Sequence, residues 1–277
     1  MANATARLIA TPITGALGAR VQGADLRGPL SADLVDEIHA LVDEHLVLFF
    51  PEQGIDDDQQ FQFALRFGGP YVHPLGRAAG RTTAGAERIV DTVETPPFQD
   101  HWHTDVSWDV EPPTYGTLRA IEMPAKGGDT LWANAYLAYE TLSVDVQERI
   151  ADLDARHDMG FGAAFISKAG IEAVERTRAM FPGAVHPVVG VHPRTGRRYL
   201  NVNTSFTREI VGMDGDESAE LLRTLFDQFV NPNLQVRWRW TVGDVVLWDE
   251  YATQHFAVAD FMPARREMAR VPVSPRG

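Results

Sequence analysis

The sequence predicts a mainly β fold with helical insertions, a sandwich or jelly roll, on three observations. After His101 the chain breaks into short runs rich in β-branched, aromatic and alternating residues: GTLRAIEM, DTLWAN, HPVVGVHP, RRYLNVN, QVRWRW, GDVVLW, QHFAV and RREMARVPV. Gly and Pro signals such as RTG and VGD separate them. Within them the two-residue period of a pleated strand is kept: in QVRWRW, Val236, Trp238 and Trp240 share one face, and Arg237 and Arg239 the other. Many short strands with few helices point to two packed sheets. No repeat or low-complexity segment interrupts the chain, and Pro/Gly clusters are spread throughout, so one domain over residues 1–277 is expected.

Taken in order, SADLVDEIHALVDEHL opens with Ser31 as an N-cap and sets Leu34, Ile38, Leu41 and Val42 at helical spacing, leading into the strand-like LVLFF. A second helix is expected from about Asp56 to Arg66. Residues 67–100 are rich in Gly, Pro and polar groups and read as one long loop, a partly mobile lid. Helices are expected again at about 134–153 and at 215–230, where ESAELLRTLFDQFV carries a helical stripe.

Composition narrows the function. A formal net charge of -13 and no basic run interleaved with aromatics argue against nucleic acid or an anionic membrane as partner. Met1 to Gly15 has one Arg and no apolar core, and no run approaches membrane-spanning length, so a cytoplasmic protein is expected. With no cysteine, any metal must be held by His, Asp and Glu.

The stretch HWHTDVSWD, residues 101–109, concentrates such groups. Strand geometry lets His103 and Asp105 reach one ion, and His101 equally, so spacing alone does not choose. Two histidines and one carboxylate on one face of an octahedron leave three positions open, the arrangement of non-haem Fe(II) oxygenases. A further ligand is sought downstream among His157, His186, His192 and His255. His186 and His192 precede prolines and read as surface or edge histidines; His157 follows an acidic helix end, where a cation meets the helix dipole. His255 lies in the apolar TQHFAV, and a turn through ADFMP would set it antiparallel beside RREMAR.

In RREMAR, Arg266, Met268 and Arg270 share a face, so a core-facing Met268 carries two arginines inward. A buried guanidinium without an anion costs several kcal/mol, roughly the cost of breaking a buried pair. Arg binds oxyanions through a planar fork. The pair therefore fits two small anions, one on Arg266 and one on Arg270, although Asp249 or Glu250 could neutralise Arg270 instead.

These segments, with GARVQGADLRGPL, FALRFGGPYVHP, WHTDVSW, MPAKGGDTLWAN, VRWRWTVGDVVLWD and ATQHFAVADFMPARREMAR, resemble the taurine dioxygenase family of Fe(II)/2-oxoglutarate-dependent oxygenases, alkylsulfatases and phenoxyalkanoate dioxygenases included. The resemblance spans nearly the full chain. It implies a double-stranded β-helix, a form of jelly roll. It also implies Fe(II) held by His103, Asp105 and His255, with no catalytic side chain beyond the metal centre. The cosubstrate 2-oxoglutarate would meet Thr130 and Arg266. His73, Arg270, Phe206 and Gln99 map to the substrate pocket. The implied reaction joins O2, 2-oxoglutarate and a small anionic organic substrate, probed first as a sulfonate or sulfate ester that releases sulfite or sulfate, with succinate and CO2. A carboxylate substrate, such as a phenoxyalkanoate or a specialised-metabolite acid, is the alternative, and a non-catalytic jelly-roll binding protein a third. The family implies a homo-oligomer, dimer or tetramer. Taurine-cleaving members carry Tyr where Gly76 stands, which points here to an enlarged pocket and a bulkier substrate; Leu75, Gln99, Asp100, Ser107, Trp108 and Glu250 also depart from their pattern.

Overall fold

The computed structural model describes residues 8–97, 100–160 and 171–275. The first third contains β1 (Ile9–Pro12), β2 (Ala19–Gln22), α1 (Ala32–His45), β3 (Val47–Phe50), α2 (Asp57–Ala64), β4 (Gly69–Pro70), α3 (Pro74–Ala78) and β5 (Glu87–Asp91). The middle contains β6 (Tyr115–Glu122), β7 (Thr130–Asn134), α4 (Ala135–Glu140), α5 (Val144–Ile150), β8 (Asp154–His157), α6 (Ile171–Met180), β9 (Ala184–Pro187), β10 (Val189–Val191), β11 (Arg198–Leu200) and β12 (Thr207–Ile210). There follow α7 (Gly215–Phe226), β13 (Gln235–Trp238), β14 (Val245–Asp249), β15 (Thr253–Ala257) and β16 (Arg266–Ser274). The fold is mainly β with helical insertions, and no helix among the described residues is long and apolar enough to cross a membrane.

Strand alternation builds the layers. The large sheet runs β1-β2-β3-β14-β6-β16-β4, with β5 also paired to β16. On its central strands Val47, Phe49, Val246, Trp248 and Met268 join one core with Trp132 and Trp240. Their neighbours Leu48, Phe50, Val245, Leu247, Val271 and Val273 join another with Ile38, Val42 and Phe63 of α1 and α2. A sheet covered on both faces needs such continuous apolar runs, and each fully buried Val, Leu or Phe contributes roughly 1.5–3 kcal/mol. The first of these faces is met by the small sheet β13-β7-β15, whose Trp132 ring abuts Phe49 at 5.5 Å. Two further small sheets, β12-β8-β9 and β10-β11, extend this side.

The helices start where expected. Ser31 Oγ accepts the Leu34 N–H at 3.3 Å, and α1 turns Val35, Ile38 and Val42 to the core. Asp56 and Gln59 form a reciprocal capping box on α2. The helix expected at 134–153 is two, because Ser143 accepts the Val146 N–H and starts α5 afresh. Three expectations are corrected. Residues 67–100 are no single loop: they hold β4, α3 and β5, the last in register with β16. QHFAV and RREMARVPV are not neighbours, since β15 pairs with β7 in the small sheet while β16 pairs with β6 in the large one. HWHTDVSWD is not a strand but a single bridge followed by a turn. Beyond these, β1, β2, β8 and β12 are strands for which the sequence carried no expectation.

Candidate metal centre

Two backbone hydrogen bonds bring residues 103 and 255 together: His103 N donates to His255 O at 3.0 Å and His255 N to His103 O at 2.8 Å. Directly opposed antiparallel residues project to the same side, and the two imidazole centroids lie 4.0 Å apart. His103 Nδ1 donates to the His101 carbonyl at 2.8 Å, which leaves Nε2 unprotonated and facing Asp105. Trp248 packs on the His255 ring at 5.2 Å and fixes its plane.

Asp105 follows at the start of the turn, where Val106 takes φ 53. Its placement owes nothing to strand pleating. The buried Glu250 Oε2 accepts the Asp105 N–H at 3.1 Å, and Arg270 Nη1 donates to Asp105 Oδ1 at 2.8 Å. That oxygen stands 3.8 Å from both His103 Nε2 and His255 Nε2. Burial alone pushes the Asp105 carboxyl up, but Arg270 and the two imidazoles outweigh it and hold it near about 2. Burial pushes both histidines down, and His255 is lowered well below its ordinary value by burial and by His103. Glu250 is pushed well up by burial and by Asp105.

Among the described residues, the donor atoms of His103, Asp105 and His255 lie within 4.8 Å of one another. Asp105 Oδ2 is buried there without a hydrogen-bond partner. Two neutral imidazoles and one ionised carboxylate are the protonation states a divalent cation needs, and a buried lone pair without a donor is what such an ion satisfies. The donor set fits a first-row divalent metal.

Both arginines of β16 turn inward with Met268, but carboxylates of the protein meet them. Arg266 Nη1 donates to Asp91 Oδ2 at 3.3 Å and Nη2 to Thr130 Oγ1 at 3.4 Å. Arg270 Nη2 donates to Glu87 Oε2 at 3.0 Å. Neither Asp249 nor Glu250 forms the ion pair considered for Arg270; Asp249 instead takes the His192 ring at 2.9 Å. Glu87 and Asp91 went unread because their segment has no apolar period, and only their register with β16 reveals them. Glu250 could be flagged by its place beside the apolar GDVVLWD run, not by its role.

The remaining positions divide clearly. His73 caps α3 through Nδ1, lies 5.9 Å from the Trp108 ring, and is pushed down by burial and by Arg270. Phe206 meets the His103 ring edge-on at 6.3 Å. It is held by Asn203 Oδ1, which accepts its N–H at 2.8 Å. Gln99 lies outside the described residues. His101 is exposed beside Asp100, away from the pair. His192 is no surface or edge group and His157 no cation at a helix end: both are buried, His192 against Asp249 and His157, at the end of β8, against Ser107 at 3.1 Å. Ser107 also accepts from Asn203 Nδ2 at 2.9 Å and is itself buried, so it braces the wall behind Phe206. Trp108 packs with Phe181 and lines a neighbouring cavity of about 330 Å³ with Pro74, Ala78 and Met180. The Arg81 side chain lies over Gly76, where a Cβ would meet Arg81 Cδ at 3.4 Å.

The chain is similar to known proteins along most of its length. The model of the family described as "Taurine catabolism dioxygenase TauD, TfdA family" matches residues 10–271. An alkylsulfatase of Acinetobacter baylyi is 36% identical over 97% of this chain and 86% of its own length. An alpha-ketoglutarate-dependent sulfate ester dioxygenase of Pseudomonas putida is 36% identical over 94% of this chain and 87% of its own. The crystal structure of a taurine dioxygenase from Burkholderia xenovorans superposes with a TM-score of 0.79 at 31% identity, covering 97% of this chain and 91% of that one.

Proposed function

The chain belongs to the TauD, TfdA family and is an alpha-ketoglutarate-dependent dioxygenase; from this premise we propose that it uses Fe(II) to hydroxylate the carbon next to the anionic group of a sulfate ester or sulfonate. The products would be an aldehyde with sulfate or sulfite, and succinate with CO2. The observation that carries this reading is the group of His103, Asp105 and His255 donor atoms, with the second carboxylate oxygen of Asp105, Oδ2, buried without a hydrogen-bond partner. The fold would be a double-stranded β-helix, a single domain of residues 1–277.

When bound, the metal with 2-oxoglutarate and O2 supplies the oxidation of a substrate C–H bond. The chain's own residues do the rest. His103 Nε2, Asp105 and His255 would hold the ion, and Arg266 with Thr130 would receive the distal carboxylate of 2-oxoglutarate. Trp240 Nε1 donates to Thr130 Oγ1 at 3.0 Å and so orients that hydroxyl. Arg270 sits 2.8 Å from Asp105, so an anion on its guanidinium is held close to the metal and the adjoining carbon is presented to it. His73 flanks the head group, while Phe206 and Trp108 exclude water. The hydroxylated carbon of a sulfate ester then loses hydrogen sulfate and becomes an aldehyde; a sulfonate loses bisulfite in the same way.

The sulfate ester reading is favoured over the carboxylate one by the alkylsulfatase and sulfate ester dioxygenase relatives. The test incubates the protein with Fe(II), 2-oxoglutarate and O2 and a panel of alkyl sulfates, sulfonates and phenoxyalkanoates. Equimolar succinate and sulfate or sulfite is the expected result. Substrate-triggered succinate with the phenoxyalkanoates alone would move the assignment to a carboxylate.

A further inference from the structure

Arg270 presents three N–H edges, and the structure divides them unequally. Nη1 is turned to Asp105, Nη2 carries Glu87, and Nε is buried without a hydrogen-bond partner. An oxyanion binds a guanidinium best in a fork of two parallel N–H groups. With Nη1 committed beside the metal ligands, the fork left to a head group is Nε with Nη2. Glu87 stands on one of its two prongs.

The second oxygen of Glu87 has its own partner. Arg81 Nη1 donates to Glu87 Oε1 at 3.3 Å, and Arg81 is held near by its backbone bond to Gly76 O at 2.8 Å and by lying over that glycine. The Glu87 side chain is 17% exposed and Arg81 50%, so Arg81 is the outer, wetter end of a chain of charges that runs Asp105, Arg270, Glu87, Arg81. Two carboxylates on Arg270 already exceed its single positive charge before a substrate anion is counted. An incoming anion therefore faces Glu87 as a like charge at contact distance, and Arg81 is the cation able to keep Glu87 paired once Nη2 is given up.

Resting on the reading of Arg270 as head-group anchor, we propose that Glu87 is a specificity-determining residue: it competes with the substrate anion for the Nε–Nη2 edge of Arg270, and binding hands Glu87 over to Arg81. The pocket then selects anions strong enough, and suitably forked, to displace a carboxylate. Weak or singly coordinating anions are turned away at Nη2. Asp91 holds the matching place on Arg266, four residues along the same strand.

The test reads equilibrium binding of inorganic sulfate by calorimetry at fixed ionic strength, without metal or 2-oxoglutarate. Glu87→Gln keeps the shape and removes the competing charge, and is expected to tighten sulfate binding about tenfold, a single decade of affinity. Arg81→Gln takes away Glu87's second partner and is expected to weaken binding; the double variant should return to the Glu87→Gln value. Arg270→Gln, as control, should lose the Glu87-dependent difference. Equal or weaker sulfate binding by Glu87→Gln overturns the proposal, as does an Arg81→Gln effect that persists undiminished in the double variant. Because no turnover is read, a failure to release sulfate from esters would reject the substrate reading and leave this result standing.

Discussion

Asp105 is the side chain on which most of the site converges: it touches both imidazoles, Arg270 and, through its backbone, Glu250. Asp105→Ala is expected to abolish substrate-triggered succinate formation and to remove the visible charge-transfer band that Fe(II) with 2-oxoglutarate should give without oxygen. Full retention of either would take Asp105 out of the ligand set. Reversing the charge at Arg270 (Arg270→Glu) should raise KM for an anionic substrate steeply, since a buried charge pair broken from one side costs several kcal/mol, roughly 3–5. An unchanged KM would exclude Arg270 from the head-group pocket. His157 makes a separate prediction for stability. Burial, then His186, pushes it down to about 3, so it is neutral in the folded protein and binds its proton more readily unfolded. Between pH 6.5, the ordinary value, and about 3 the unfolded state holds the extra proton. Stability therefore falls as pH falls through that window, by up to about 1.4 kcal/mol per pH unit from this group. His157→Gln should flatten the slope of urea midpoint against pH between 6 and 4; an unaltered slope would mean that His157 takes up its proton in the fold.

At the scale of elements, β16 is the strand that orders the site, because it carries Arg266 and Arg270 on the face shared with Met268 and pairs with both β6 and β5. The inward face of RREMAR was legible from its period. Its neighbours were not, since strand pairing is decided by partners remote in sequence, and β5 lies in a stretch whose Gly and polar residues mimic a loop. β14 shows the same point in its packing. Trp248 passes under Gly116 of β6, where a Cβ would fall 2.2 Å from the indole. Gly116→Ala must push Trp248, and the His255 ring that rests on it, out of place. Overpacking of this kind costs roughly 1–3 kcal/mol, and the variant is expected to lose both thermal stability and affinity for divalent metal. A loss of stability with metal affinity intact would separate Trp248 from the placement of His255.

For the whole molecule, the centre joins the two facing sheets: His255 comes from the small one, Arg266 and Arg270 from the large one, and His103 and Asp105 from the segment between. An ion held at such a junction stabilises only the folded chain. Anaerobic Fe(II) should raise Tm in proportion to the logarithm of its concentration above Kd, about 2.7 kcal/mol at a hundredfold excess. The rise should vanish in Asp105→Ala, and a Tm indifferent to metal would argue against a formed site. Trp132, wholly buried between the sheets, should cost roughly 3–5 kcal/mol as Trp132→Ala, read as a lower denaturant midpoint.

The sequence alone determined the mainly β architecture, the cap of the first helix, and the residue types of the site, because periodicity, capping and ligand chemistry are local properties written within a few residues. It also put His103, Asp105, His255, Thr130, Arg266, His73, Arg270 and Phe206 forward, through spacing and family resemblance. Tertiary structure decided how they meet. The bridge of His103 to His255, the hold of Glu250 on Asp105, the burial of His157 and His192, and the claim of Glu87 and Asp91 on the two arginines all join residues far apart in the chain. Such contacts depend on which strands pair and in what register, a choice made by the packing of the whole core. No single segment carries that information, and it is there that the charge around Arg270 was settled.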